Sequence, residues 1–180
     1  MSDTFALVQD NDPILREEMP FLDFEAYKDN PQEIVETANA MAEKMLKYGG
    51  VGLSANQVGL RLRMFVMRTH PEITVVVNPR IVDSSEEEVV MVEGCLSFPG
   101  LQVKLKRPAH IRVRYQNAFG ETVTDKLTGL TARVFQHELD HLDGKNFIDR
   151  AGPLAKDVAL RKWNKLRKQL NLKRKFGYGI

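Results

Sequence analysis

Five short runs of alternating, β-branched-rich residues follow one another between residues 62 and 127: Leu62–Met67, Ile73–Val77, Leu101–Leu105, Ile111–Tyr115 and Thr122–Leu127. Turn-forming pairs punctuate them at Asn78-Pro79, Pro99-Gly100, Arg107-Pro108 and Phe119-Gly120. Helical patterns flank this block instead of alternating with it. The first opens at Asn30-Pro31-Gln32-Glu33, where Asn30 can cap, Pro31 suits the first helical position and Glu33 can reach back to the cap. It carries Ile34, Ala38, Met41 and Met45 on one face, with Val35, Ala42 and Leu46 beside them, and Gly49-Gly50 stops it. A second helical stretch runs from Leu130 to about Leu142 and ends at Gly144, and a third from Pro153 to about Leu170. Parallel strands need long, usually helical, crossovers, so strands grouped between helices argue for an α+β fold and against a doubly wound parallel sheet.

The 180 residues suffice for one domain, with residues 1–150 expected to form the body and 151–180 a terminal helix and tail packed on it. No apolar run approaches the roughly 18 residues that cross a bilayer. The opening MSDTFALVQD, with two acids and no base, resembles neither a secretory signal nor a transit peptide. A cytoplasmic location is therefore expected. The single cysteine, Cys95, cannot form an internal disulfide, which suits a reducing compartment and leaves the thiol as a ligand or nucleophile. Residues 1–150 hold 17 Lys+Arg against 23 Asp+Glu, a net of −6, whereas residues 151–180 hold nine bases and the single acid Asp157, a net of +8. The chain is an acidic body with a basic tail.

Within the second helix stands His137-Glu138-Leu139-Asp140-His141. Four residues make just over one turn, so both imidazoles leave the same helix face and can converge on one metal, with Glu138 beside its open position as a proton acceptor. A catalytic site of this kind needs a third protein ligand. The pattern H-E-x-x-H-x-x-G-x-x-H matches through Gly144, but the third histidine would be residue 147, which is Phe147; no Glu follows Glu138, which closes the other common peptidase arrangement. The remaining candidates lie upstream: Cys95, His70 and His110. Cys95 is favoured by its setting, Glu93-Gly94-Cys95-Leu96-Ser97, because Gly94 permits close backbone approach or a positive φ and a thiolate binds soft or borderline divalent ions well. A third segment, Gly50-Val51-Gly52-Leu53-Ser54-Ala55-Asn56-Gln57, has neither the spacing nor the ending of a phosphate loop, and its small residues allow a narrow cleft in which Gln57 offers an uncharged amide donor.

Together GVGLSANQ, EGCLS and QHELDH, in that order, resemble the three signature motifs of the peptide deformylases, and the resemblance runs from about Leu7 to Leu172. It implies the deformylase α+β fold, with short antiparallel or mixed strands around a metal-bearing helix. It further implies hydrolysis of the N-formyl group from formyl-methionine at the start of new polypeptides, with release of formate. Cys95, His137 and His141 would hold one divalent ion, usually Fe²⁺, with Zn²⁺ or Ni²⁺ able to substitute. Glu138 would be the general acid/base, and Gln57 with the backbone N–H of Leu96 would steady the oxyanion. Val51, Gly52, Glu93, Gly94, Leu130, Arg133 and Val134 would border the methionine side chain, while Glu93, Arg107 and Asp140 are candidates to orient the histidines. Ser54 stands where many members have alanine and, being small, is expected to be tolerated; Gly100-Leu101-Gln102 replaces a more polar stretch of the best-known bacterial members.

The tail carries Leu160, Trp163, Leu166 and Leu170 as an apolar stripe opposite a strongly basic face, which either is simply solvated or, as the family implies, touches ribosomal phosphates. A monomer suffices. Two other readings stay open at this level: a metal-dependent endopeptidase, and a catalytically idle metal protein whose basic helix binds RNA. The retained Glu138 and Gln57 speak against the second, since holding a metal requires neither.

Overall fold

The computed structural model describes residues 5–69 and 71–175, with side chains through residue 169. His70 and the side chain of Leu170, both singled out above, lie outside the described residues. Among the described residues three α-helices and seven strands follow in the order α1 (Gln32–Lys47), β1 (Gly52–Ser54), β2 (Met64–Thr69), β3 (Glu72–Ser84), β4 (Glu88–Cys95), β5 (Phe98–Pro108), β6 (His110–Gln116), β7 (Thr122–Thr128), α2 (Gly129–Leu142) and α3 (Pro153–Lys175). Five strands form one sheet in the order β1-β2-β3-β6-β7, and β4 pairs with β5 in a separate hairpin. Every pairing is antiparallel. The expected α+β class is the observed one.

Helix α1 buries Ile34, Ala38, Met41 and Met45, as its periodicity predicts, against Leu53, Met64 and Val66 of the sheet. Leu46, by contrast, is half-exposed at the edge of that face. No side chain caps α1; Asn30 contributes only its carbonyl, which accepts from the Glu33 N–H at 3.1 Å. Its C-terminus follows the glycine rule: Gly49 takes φ +68°, its N–H reaches the Leu46 carbonyl, and the Gly50 N–H reaches that of Met45.

Helix α2 is buried from Ala132 to Glu138 and again from Asp140 to Leu142, enclosed between the large sheet, the β4–β5 hairpin and the N-terminal segment. Phe135 packs edge-on to Phe65, with ring centroids 5.2 Å apart. At its end Gly144 takes φ +69°, and a side chain there would meet the Arg16 carbonyl oxygen at 2.7 Å, so the chain can turn at this point only without a Cβ. A helix buried on nearly all faces is an uncommon place for ionisable residues, and α2 carries five of them inside: Arg133, His137, Glu138, Asp140 and His141.

Helix α3 lies against β5. Trp163 is buried, its indole Nε1–H donates to the Pro99 carbonyl at 2.9 Å, and its ring stands 6.0 Å from that of Phe98. Ala159, rather than Leu160, completes the buried stripe, while Leu166 reaches toward Gly100 from a partly exposed position. Among the described residues no helix is long and apolar enough to cross a membrane.

Candidate metal centre

The last residue of β4 and two residues of α2 supply the convergence that H-E-x-x-H anticipates. Cys95 Sγ and one nitrogen from each of His137 and His141 all lie within 4.8 Å of one another. The Cys95 Sγ to His141 Nε2 separation is 3.3 Å. For a tetrahedral ion with a metal–sulfur bond near 2.3 Å and metal–nitrogen bonds near 2.0–2.1 Å, that edge would be about 3.6 Å, so the sulfur and imidazole are spaced as ligands of one ion. The imidazoles meet at 76° with ring centroids 5.0 Å apart. His110 is exposed on β6 with its Nε2 3.7 Å from Glu87, and among the described residues it is Cys95, not His110, that stands with the two imidazoles. One thiolate and two imidazoles are a donor set for a divalent transition metal.

The surrounding groups fix how each ligand is presented. His137 Nδ1 meets Glu93 Oε2 at 2.9 Å, which leaves Nε2 for a metal. Glu93 in turn accepts two hydrogen bonds from Arg107, at 2.7 and 2.8 Å, and one from Arg133 at 2.9 Å. Arg107 also donates to Asp140 at 2.6 Å, and Arg150 closes on Asp140 from outside. Burial alone would raise the Glu93 pKa, but the hydrogen bonds from His137, Arg107 and Arg133 hold its carboxyl well below the usual range. Burial alone would likewise lower that of His137; the neighbouring Cys95 and Glu93, with the charge of Glu138, push it up to about 10. His141 moves the other way, held well below its usual value by burial and by the positive charges of His137 and Arg107.

Two buried polar atoms here lack a hydrogen-bond partner: Nδ1 of His141 and Oε2 of Glu138. Glu138 is 4 % exposed, and its burial, opposed by the charge of His137 and by Ser54, raises its pKa to about 7. A carboxyl with an unpartnered oxygen and a pKa near neutrality is suited to take and return a proton. Gly52 makes room for it: a side chain at 52 would collide with Glu138 Oε1 and stand 2.8 Å from Val134.

A cavity of about 480 Å³ opens over Cys95, His137 and Glu138. Its lining includes Gln57 and Leu96, together with Val51, Gly52, Gly94, Leu130 and Val134. Val51 and Leu130 stand at its exposed rim and Val134 in its buried wall. Glu93 and Arg133 also border it, yet both are buried with their charged groups turned to each other, and Glu93 is paired with Arg107 as well. Gly94 has no positive φ, and a side chain there would meet the Leu101 carbonyl at an ordinary 3.4 Å, so the glycine is not explained by backbone strain. Gln57 Nε2 lies 3.2 Å from both Cys95 Sγ and Ser97 Oγ. Asn56, which the sequence assigns no role of its own, donates through Nδ2 to the His141 carbonyl at 2.7 Å and so ties the GLSANQ turn to the end of α2. A bond to a main-chain carbonyl 85 residues away leaves no pattern in the sequence.

A family model described as polypeptide deformylase matches residues 4–157. The chain belongs to that family. Among curated relatives, the peptide deformylase of Thermotoga petrophila is 47 % identical over 152 residues, covering 84 % of this chain and 88 % of the relative. That of Bartonella tribocorum is 38 % identical over 178 residues, covering 92 % and 94 %. Among solved structures, the Thermotoga maritima peptide deformylase superposes with a TM-score of 0.76 at 42 % identity, covering 83 % of this chain and 98 % of that one. The Synechococcus elongatus peptide deformylase, in complex with actinonin, superposes with a TM-score of 0.82 at 30 % identity, covering 91 % and 87 %. The deformylase fold and activity expected from the three motifs are those of the family: a metal-dependent amide hydrolase that removes the N-formyl group from new polypeptides.

Proposed function

We propose that this chain deformylates formyl-methionyl peptides with Cys95, His137 and His141 as metal ligands, Glu138 as general acid/base, and Gln57 with the Leu96 N–H as oxyanion donors. The observation that carries the assignment is the approach of one sulfur and two imidazole nitrogens to within 4.8 Å beside a buried, unpartnered carboxylate oxygen. When bound, a divalent ion would supply Lewis acidity, bringing the pKa of water toward about 7 and polarising the formyl carbonyl. Glu138 accepts a proton at its carboxylate as the amide is attacked and returns it to the departing nitrogen, a shuttle its pKa of about 7 suits. Gln57 lines the cavity with its Nε2 3.2 Å from Cys95 Sγ, a position from which an N–H would meet the carbonyl oxygen as it gains negative charge. Val51, Leu130 and Val134 give the methionine side chain an apolar wall, which Gly52 and Gly94 leave unobstructed. Glu93 and Arg133 shape that wall from behind through their ion pair.

The family resemblance favours Fe²⁺ as the native ion, with Zn²⁺ or Ni²⁺ as substitutes; a Cys-His-His set by itself accepts any of them. The substrate is taken to be the nascent formyl-methionyl chain, a reading that fits a cytoplasmic location, and a monomer is taken to suffice. Residues 1–150 act as the catalytic unit and 151–180 as a helix and tail fastened to it, a division supported by the seat of Trp163 on Pro99. The basic face of α3 is assigned to ribosome contact, and raising salt to about 0.3 M should weaken such binding if it rests on phosphates. Formate release from formyl-Met-Ala-Ser against Met-Ala-Ser, with metal analysis alongside, tests the whole reading. Release only from the formylated peptide, by protein carrying one equivalent of metal, is the expected result. Cleavage of internal bonds would instead favour an endopeptidase.

A further inference from the structure

Ser54, which the sequence reading treats merely as a small residue, is fully buried at the mouth of the GLSANQ turn, and its hydroxyl lies against two side-chain amides and beside Glu138, whose pKa it draws down against burial. Its Oγ is 2.8 Å from Asn56 Oδ1 and 3.0 Å from Gln57 Oε1, and its backbone N–H also donates to Gln57 Oε1 at 3.0 Å. Each amide therefore turns its oxygen toward Ser54 and its nitrogen away. The nitrogens reach different metal-ligand residues: Gln57 Nε2 lies 3.2 Å from Cys95 Sγ, and Asn56 Nδ2 is 2.7 Å from the His141 carbonyl. Either amide, flipped, would aim an acceptor at a group that is itself an acceptor. An amide has no intrinsic preference between these orientations; only its neighbours decide. For Asn56 Oδ1, the Ser54 hydroxyl is the donor that decides.

We propose that the Ser54 hydroxyl is a positioning residue for deformylation, anchoring the Asn56 and Gln57 amides so that Gln57 offers N–H to the reacting carbonyl and Asn56 holds the end of α2 beneath His141. The inference rests on the oxyanion role assigned to Gln57. An alanine at 54 packs in the same space and keeps the backbone N–H to Gln57 Oε1 but supplies no hydroxyl, so Asn56 Oδ1 loses its donor and Gln57 Oε1 keeps only one of its two, without opening the cavity.

The experiment is a double-mutant cycle of Ser54→Ala and Gln57→Ala, read with formyl-Met-Ala-Ser, together with side-chain amide NMR of protein stripped of metal by chelation. Deleting one oxyanion donor costs roughly 10²–10³ in kcat, so a donor left in place that keeps its backbone anchor and loses the hydroxyl one should cost no more than about tenfold. Ser54→Ala is expected to lower kcat by that amount with KM changed less than about twofold, and to change kcat less than about threefold once Gln57 is already alanine. In the stripped protein the Asn56 and Gln57 amide resonances should both move, and their hydrogens exchange faster with solvent. An undiminished loss in the Gln57→Ala background, or amide resonances unchanged by Ser54→Ala, overturns the proposal. If the parent protein releases no formate, the deformylase reading itself falls, whereas the amide resonances still decide the anchor.

Discussion

Glu93 joins the hairpin to the metal-bearing helix, and Glu93→Gln isolates its charge from its shape. The side chain is 4 % exposed and takes hydrogen bonds from Arg107, Arg133 and His137. Glutamine is nearly isosteric but brings an NH₂ that must face one of these donors. Arg107 retains Asp140, whereas Arg133 is left with the carbonyls of Leu105 and Val89 and no counter-ion. Removing one partner of a buried ion pair costs about 3–5 kcal/mol, because the other charge stays buried without compensation. Domains of this kind have about 5–15 kcal/mol of stability, so the variant should fold but unfold at markedly lower urea. Its metal affinity should drop about 10–100-fold, since His137 Nδ1 loses the acceptor that orients the ring. The pH dependence follows from the same residue. The folded-state pKa of Glu93 is depressed, so its stabilisation is present above 4.5 and is lost as pH falls below that value. Wild type should therefore lose stability toward acid more steeply than the variant, and the two curves should converge. Urea titrations at several pH values and chelator competition measure both effects. A stability change under about 1 kcal/mol with unaltered metal affinity would refute the argument that this carboxylate is a charge-paired support of His137.

Glu138→Ala should retain stoichiometric metal while kcat falls by about 10²–10⁴ or more, as judged by formate release and metal analysis; near-normal turnover would remove Glu138 from the chemistry. In chelator-stripped protein, where His137 carries a proton up to a pH of about 10, metal uptake must displace that proton. Apparent affinity should accordingly climb about tenfold per pH unit between roughly pH 7 and 9, and a pH-independent affinity contradicts this. Trp163→Ala removes a buried indole that rests on Phe98 and donates to Pro99, so it should destabilise the protein by about 3–5 kcal/mol in urea melts. An unchanged midpoint would mean that α3 does not brace the β4–β5 hairpin. Because Cys95 borders an open cavity, an Fe²⁺ form should lose activity in air faster than a Ni²⁺ form, and equal lifetimes would argue otherwise.

What the sequence discloses, and what it hides, divides along physical lines. Periodicity marks α1, because Ile34, Ala38, Met41 and Met45 repeat with the helical turn and face one core. Five of the seven described strands overlap the alternating runs, each reaching beyond its run, and β3 extends to Ser84, past Asn78, whose positive φ and the accompanying register shifts bend the strand without ending it. Strands β1 and β4 escape notice for opposite reasons. Gly52–Ser54 is only three residues, Gly-Leu-Ser, buried throughout, with no alternation to detect. Glu88–Cys95 keeps Val90 and Val92 exposed and buries Glu93, the reverse of the usual code, because the buried ion pair overrides polarity. The ligands and Glu138 are legible because metal chemistry demands particular side chains at particular spacings. Arg133 sits at the right helical step for the ligand face, but its engagement with Glu93 and two strand carbonyls depends on chain segments 28–44 residues away. Asn56 is hidden for the same reason, since its amide bonds across the fold to His141, whereas Ser54 acts locally, on residues two and three positions on.

The central claim is a metal held by one sulfur and two imidazoles, and X-ray absorption at the zinc edge of Zn²⁺-loaded protein tests it most directly. The account predicts one sulfur at about 2.3 Å and imidazole scattering from two nitrogens at about 2.0–2.1 Å, with the sulfur lost in Cys95→Asp. A first coordination sphere of nitrogen and oxygen alone in the unaltered protein would contradict it.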